Sequence, residues 1–68
     1  MKVYVKQLGT RRFLTMSKSW TSDQREALCF ENSFKAIEFC LTNKIPKSVV
    51  LLTFGDPRYD IELRVNDR

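Results

Sequence analysis

The chain has 68 residues, 43% of them apolar, and its 12 Lys and Arg against 8 Asp and Glu give a formal net charge of +4. This length predicts a single small domain over residues 1–68, and the composition is typical neither of a disordered chain nor of a membrane protein. The sequence contains no histidine, which removes the commonest general base and the commonest metal ligand.

The cysteines and the first residues bear on the cellular compartment. Cys29 and Cys40 both sit among apolar residues, which predicts two reduced thiols in the core, with a disulfide between them as the alternative. The N-terminus lacks the apolar segment of a signal peptide, and the longest apolar run, residues 49–52, is too short to span a membrane. We therefore expect a cytoplasmic protein with no membrane partner.

The first third of the chain predicts a β-hairpin. Residues 2–8 are rich in β-branched and aromatic side chains and alternate in polarity, with Val3 and Val5 on one face. A turn at residues 9–11 leads into a second strand over residues 12–16. Residues 17–23 are polar and predict a loop, which contains Trp20.

A short third strand is predicted over residues 27–30, followed by a helix over residues 33–43. Asn32 and Ser33 are good N-cap residues, and they favour this interpretation over one continuous helix from residue 22 to residue 43. The apolar stripe of the helix is predicted to consist of Phe34, Ile37 and Leu41, widened by Ala36 and Cys40.

The last third predicts a second hairpin. Residues 49–54 are almost entirely apolar, which is typical of a strand covered on both faces. Residues 55–58 have turn chemistry, and residues 59–65 alternate in polarity. The side chains expected to point inward from this last strand are those of Tyr59, Ile61, Leu63 and Val65. Residues 66–68 are expected to fray.

These elements predict an α+β protein in the order β-β-β-α-β-β, with one antiparallel sheet of four to five strands and a single helix packed on one face. The other face is then open and carries Lys2, Tyr4, Lys6, Asp60, Glu62 and Arg64. Val50 and Leu52, or their neighbours, must also point into it. An open face that is partly apolar, or an uncovered edge strand, predicts self-association.

Basic residues are concentrated in the first hairpin, because residues 1–18 contain five basic residues and no acidic one. Basic side chains can bind phosphates and aromatic rings can stack on bases, so this combination predicts a nucleic-acid-binding surface. The alternative is a solvated hairpin that keeps the protein soluble. Pairing of Leu8 with Arg12 would put Arg12 on the face of Lys6, whereas pairing of Leu8 with Phe13 would put it on the opposite face. The candidate contact residues, for nucleic acid or for a protein partner, are Lys2, Tyr4, Lys6, Arg11, Arg12, Lys18 and Trp20.

Two further features have a functional and a structural interpretation. Trp20 is either an aromatic anchor for a partner or a lid on one end of the core. Asp56 and Asp60 could hold a cation with Arg58 beside them, but two carboxylates are few for Ca²⁺ or Mg²⁺. A tight turn is the favoured interpretation of that segment.

The chain has no pattern that predicts catalysis. Serine and cysteine nucleophiles lack a histidine base, and the two glycines form no phosphate-binding loop. We expect no catalytic residue, no cofactor, no bound metal and no small-molecule substrate.

Three segments in the middle of the chain carry a resemblance. They are Trp20-Thr21-Ser22-Asp23, Ala27-Leu28-Cys29-Phe30 and Ala36-Ile37-Glu38-Phe39. This pattern resembles one in small uncharacterised bacterial proteins and is similar to the strand–helix unit of an accessory subunit of respiratory NADH dehydrogenase. That subunit usually closes its helix with Asn-Gly-Trp, where this chain has Asn43-Lys44-Ile45. The resemblance implies a strand followed by a helix and carries over no functional residue.

The sequence thus predicts a small non-enzymatic protein-interaction module, whose partner is another protein or a second copy in a homodimer. The alternative is a nucleic-acid-binding module that uses the basic N-terminal hairpin.

Overall fold

A computed structural model describes residues 1–66 of the chain. Five strands and one α-helix follow one another within this part of the sequence, together with two short 3-10 helices over Gln24–Glu26 and Pro57–Tyr59. In chain order they are β1 (Lys2–Gln7), β2 (Phe13–Leu14), β3 (Trp20–Thr21), α1 (Ser33–Thr42), β4 (Ser48–Thr53) and β5 (Ile61–Asn66). The tail predicted to fray was residues 66–68, but Asn66 is the last residue of β5. Residues 67 and 68 lie outside the described part.

The five strands form one antiparallel sheet in the order β3-β2-β1-β4-β5, and α1 lies between β3 and β4 in the chain. The predicted α+β class is therefore confirmed. β1 and β4 pair along their whole length, from Lys2 opposite Thr53 to Gln7 opposite Ser48. The N-terminal strand thus occupies the centre of the sheet, between elements that come before and after the helix.

The third strand differs from the predicted one. It is Trp20–Thr21, in the segment expected to be a loop, with Trp20 opposite Leu14 and Thr21 opposite Phe13. The predicted strand, residues 27–30, makes only a single bridge at Phe30, whose backbone N–H donates to the Val3 carbonyl. The hydroxyls of Thr15, Ser17 and Ser19 hydrogen-bond one another in the loop between β2 and β3. Residues 17–19 are polar because they form this turn. Their polarity extended the predicted loop over the two-residue strand that follows.

The helix begins and ends through local backbone chemistry. The Asn32 side chain accepts from the backbone N–H of Lys35 at 2.9 Å, as the predicted N-cap requires. At the other end the Ile45 N–H donates to the Cys40 carbonyl at 3.0 Å, and the Lys44 N–H to the Leu41 carbonyl. Lys44 has a φ of 53°, so it occupies the left-handed position that glycine usually fills in this Schellman-type ending.

The helix presents a different face to the sheet from the one predicted. Its fully buried residues are Ala36 and Cys40, whereas Phe34 and Leu41 are exposed. Small side chains toward the sheet allow the helix to pack closely, and Phe39 packs beside them with its ring 5.4 Å from that of Phe30. The prediction that Phe34, Ile37 and Leu41 form the centre of the buried stripe is therefore wrong, because that centre is formed by Ala36 and Cys40.

The core lies between α1 and the sheet. Its buried members are Val3, Val5, Leu14, Ala36, Cys40, Ile45 and Val50. Trp20, Ile37 and Leu52 pack against them from the periphery. Of the four residues expected to point inward from the last strand, only Val65 packs against this core, because β5 is an edge strand; Tyr59, Ile61 and Leu63 are exposed.

Candidate interaction surface

The sheet face opposite α1, here called the open face, is partly closed by its own side chains. Lys6 lies opposite Val49 and Glu62 opposite Leu51, on the two strands that flank β4. The Lys6 ammonium meets the Glu62 carboxylate at 2.9 Å, so this ion pair passes over β4. Val49 and Leu51 are buried beneath it. This arrangement explains how an apolar strand can have both faces covered when only one helix packs on the sheet.

The observed register separates the predicted basic residues. Lys6 is opposite Phe13, and the Gln7 N–H donates to the Arg12 carbonyl at 2.8 Å, which places Arg12 on the face opposite Lys6. Arg11 is exposed in the turn at one end of β1, whereas Lys2 is exposed at the other end and Lys18 lies in the loop between β2 and β3. The structure does not bring the five cations into one patch.

The two aromatic candidates are also separated. Tyr4 is only 6% exposed and makes an edge contact with Phe13 on the open face, with ring centroids 5.8 Å apart. Trp20 lies opposite Leu14 and packs against the core on the helix side of the sheet. Neither ring is presented flat to solvent beside a pair of cations, as base stacking requires.

A shallow groove of about 760 Å³ crosses the open face. Tyr4, Phe13 and Leu51 line its floor, and Lys2 and Arg25 stand at its rim. Gln24, Thr53 and Asp60 also line the groove. A groove with an apolar floor and polar groups around it can accept a side chain from a partner.

The predicted turn after β4 is a capped 3-10 helix. The Asp56 carboxylate accepts from the Arg58 backbone N–H at 3.0 Å and from its guanidinium at 2.8 Å. The Arg58 side chain, and then its backbone N–H, hold the pKa of Asp56 below its ordinary value. Both oxygens of this carboxylate thus accept hydrogen bonds from Arg58. This capping role accounts for Asp56 and Arg58 in the turn without invoking a bound cation. Among residues 1–66 no group of three or more Cys, Asp or Glu side chains is arranged to hold a metal ion.

The two thiols have different environments. Cys40 is fully buried, and burial raises the pKa of its thiol. Cys29 is exposed and free, so the expectation of two core thiols is wrong for Cys29. The alternative of a disulfide between them is not realised.

An apolar surface on the helix side was missed in the sequence. Four large side chains there are exposed to different degrees: Phe34 by 70%, Leu41 by 59%, Ile61 by 48% and Leu63 by 39%. We call these four residues the apolar edge. The signal available in the sequence was the excess of apolar residues on α1 over what one face of a ten-residue helix buries.

The four residues of the apolar edge lie on the same side of the molecule. Phe30 is bridged to Val3 on the side of β1 away from β4, so the edge of α1 that carries Phe39 faces away from β5. Phe34 and Leu41 project about 140–160° around the helix from Phe39. They therefore lie on the side of α1 toward β5, directed largely to solvent, because the buried Ala36 and Cys40 are about 100–160° away around the helix. On the helix side of β5, Ile61 and Leu63 lie opposite Leu52 and Val50.

Comparison of this chain with models of protein families, with curated proteins and with solved structures gives no match. The resemblance to the NADH dehydrogenase subunit stays a prediction. Within residues 1–66 the one α-helix, of ten residues, is too short to cross a lipid bilayer.

Proposed function

We propose that this chain is a non-enzymatic protein-interaction module that associates with a second copy of itself through the apolar edge. The observation that carries this proposal is the exposure of Phe34, Leu41, Ile61 and Leu63 on one side of the molecule. Exposed apolar side chains that share one side of a small protein are a feature of contact surfaces. Their burial in a dimer removes apolar area from water, which contributes about 25 cal/mol per Å².

The chemistry of the described residues supports a binding role over a catalytic one. The chain has no histidine, and the carboxylates with lowered pKa, Asp23 and Asp56, are each occupied by an arginine two residues on. Those carboxylates cap 3-10 helices and are structural.

The spread of the basic residues over both faces and both ends of the sheet gives the nucleic-acid alternative no contiguous site. Lys6, the cation nearest the centre of the open face, is already paired with Glu62. We therefore base the proposal on the apolar edge.

Sedimentation equilibrium from micromolar to millimolar concentration tests the proposal. We expect the mass to rise from monomer to dimer, and we expect Phe34→Gln together with Leu41→Gln to weaken the dimer roughly tenfold or more, given ~1.5–3 kcal/mol per buried large side chain. Both residues are exposed, so the fold should survive. Met16→Gln is the matched control, because Met16 is 80% exposed but lies in the loop between β2 and β3. A monomer at every concentration would refute self-association.

A further inference from the structure

The two edges of the sheet differ in length. β3 has two residues, Trp20–Thr21, whereas β5 has six, Ile61–Asn66. Within residues 1–66, β5 pairs with β4 alone, so its other side presents a row of backbone donors and acceptors. Its register shift lies at the Ser48/Val49 end, which leaves Ile61–Arg64 regular. Short strands, prolines, bulges and charged side chains normally protect an edge from pairing. Ile61–Arg64 has no proline and no bulge, although it carries Glu62 and Arg64 and the register shift comes directly after it.

The side chains of β5 are complementary to themselves. By register, Ile61 and Leu63 lie on the helix side, whereas Glu62 and Arg64 lie on the open face. Antiparallel pairing of two copies centred on Leu63 puts Leu63 against the partner's Leu63. It brings Ile61 toward the partner's Val65, the residue at the register shift of β5. It also puts Glu62 opposite the partner's Arg64, and Arg64 opposite the partner's Glu62. Cross-strand pairs of opposite charge stabilise a sheet, and like charges destabilise it.

Charge selects this register over its neighbours. A two-fold axis between antiparallel strands passes through a pair of equivalent residues when both copies keep the same face toward the helix. Centring on Glu62 would place two carboxylates directly opposite each other, and centring on Arg64 would do the same with two guanidinium groups. Centring on Glu62 also brings Asp60 opposite the partner's Arg64, but the two facing carboxylates remain. Of these three registers, only the axis at Leu63 gives attractive pairs without a like-charge pair.

Pairing about this axis also places the exposed side of α1 next to the helix of the second copy. The axis is perpendicular to the sheet, so the two helices lie on the same side of a continuous sheet. The helix contacts β1, β4 and β5, which centres it over β4, and three strand spacings of about 4.8 Å separate β4 from its copy, roughly 14 Å. Helices in contact pack about 8–10 Å apart. In such a pair, Phe34 and Leu41 are the long exposed side chains on the helix edges that face this gap.

We propose that β5 pairs antiparallel with β5 of a second copy about an axis at Leu63, joined by two Glu62–Arg64 pairs and covered by Phe34 and Leu41 from both helices. This inference rests on the proposed function and specifies its interface. The product is a ten-stranded sheet in which the long edge of each copy is paired.

Charge reversal tests the register. Glu62→Arg alone and Arg64→Glu alone each turn two attractive pairs into two repulsive ones, and each should weaken the homodimer roughly tenfold. A mixture of the two variants should form a heterodimer with wild-type affinity, because each Arg then meets a Glu. The double variant should also recover the homodimer. Sedimentation equilibrium of each sample measures these affinities.

The intrachain ion pair of Glu62 requires a control. Glu62→Arg also breaks the contact with Lys6, but mixing with the other variant cannot restore an interaction within one chain. Lys6→Gln removes the same ion pair and leaves β5 unchanged, so it should dimerise as wild type does. Thermal unfolding of every variant shows whether the fold is retained.

Cross-linking gives a readout that needs no charge. In a Cys29→Ser background, Leu63→Cys places two thiols opposite each other at the axis, and mild oxidation should yield a covalent dimer. Ile61→Cys is the matched control, because four residues separate it from its copy, about 13 Å along the strand. A disulfide needs Cα atoms within about 7 Å, so this variant should stay uncross-linked.

The outcomes separate this inference from the function on which it rests. Heterodimer rescue with Leu63→Cys cross-linking supports the inference. A wild-type dimer that is indifferent to both charge reversals, and that fails to cross-link at Leu63→Cys, would overturn the β5 interface and leave self-association standing. A wild-type protein that stays monomeric would overturn both.

Discussion

Two Asp-x-Arg segments fold by the same local rule. Asp23 accepts from the Arg25 backbone N–H at 2.9 Å and from its side chain at 3.1 Å, and Asp56 and Arg58 repeat the arrangement. The arginine side chain is the main reason that the pKa of each carboxyl is lowered. A lowered folded-state pKa means that the stabilisation is present above the ordinary carboxyl pKa and is lost as the pH falls.

The two cysteines should react very differently. Cys29 is exposed and Cys40 is fully buried with a raised pKa, and the thiolate is the reactive form. We expect iodoacetamide at neutral pH to modify Cys29 within the folded protein and Cys40 only on unfolding. Mass spectrometry of peptides from protein labelled with and without denaturant measures this. Equal labelling of both thiols in the folded protein would contradict the assigned packing of α1.

Cys40 also predicts a pH dependence of stability. Because its folded-state pKa lies above its ordinary value of 9.0, its contribution to stability is full below that value and is lost as the pH rises through the folded-state pKa. Urea unfolding of the wild type should therefore weaken above about pH 9 more steeply than that of Cys40→Ala. Parallel pH profiles would show that the thiol is hydrated in the folded state.

At the scale of the elements, the end of α1 carries a correctable strain. Lys44 has a φ of 53° at the position that glycine favours. Lys44→Gly should stabilise the protein by about 0.5–1 kcal/mol, because relief of the left-handed strain outweighs the added chain entropy. Urea unfolding measures the change. Glu38→Gly, at an exposed position in the middle of the helix, should instead destabilise by about 0.5–1 kcal/mol, and a matching loss at Lys44 would argue against the Schellman-type ending.

The elements that could be predicted are those specified by local sequence. Strands β1 and β4 follow from their β-branched and apolar runs, and the start of α1 follows from Asn32. The third strand could not be placed, because two residues give no periodicity and Trp20–Thr21 pairs only through long-range contacts with β2. The sequence also could not show which face of α1 packs on the sheet, because tertiary packing buries Ala36 and Cys40 and leaves the larger Phe34 exposed.

The sequence predicted that the protein self-associates, but it did not predict which residues form the candidate surface. The excess of apolar side chains over one helix and one sheet face indicated self-association. Its location depended on strand order, which makes β5 rather than β1 an edge. Lys6 illustrates the same limit: the sequence suggested a free cation, but Lys6 is paired with Glu62, 56 positions away in the chain.

At the scale of the whole molecule, 68 residues give a marginal core. Ile61, Leu63, Phe34 and Leu41 add little to the stability of one copy while they face water. Pairing at β5 would bury them and extend the core across two copies, so that folding stability and association become linked and the unfolding midpoint rises with concentration.

Amide hydrogen exchange at low and high protein concentration tests this account most directly, because it reports on both sheet edges in one experiment. The account predicts that amides along β5 exchange more slowly at high concentration. The backbone of Trp20–Thr21, on the opposite edge, should gain much less protection, because association slows its exchange only through the greater stability of the whole fold. Protection of β3 instead of β5, or β5 amides that exchange equally fast at both concentrations, would contradict the β5 interface.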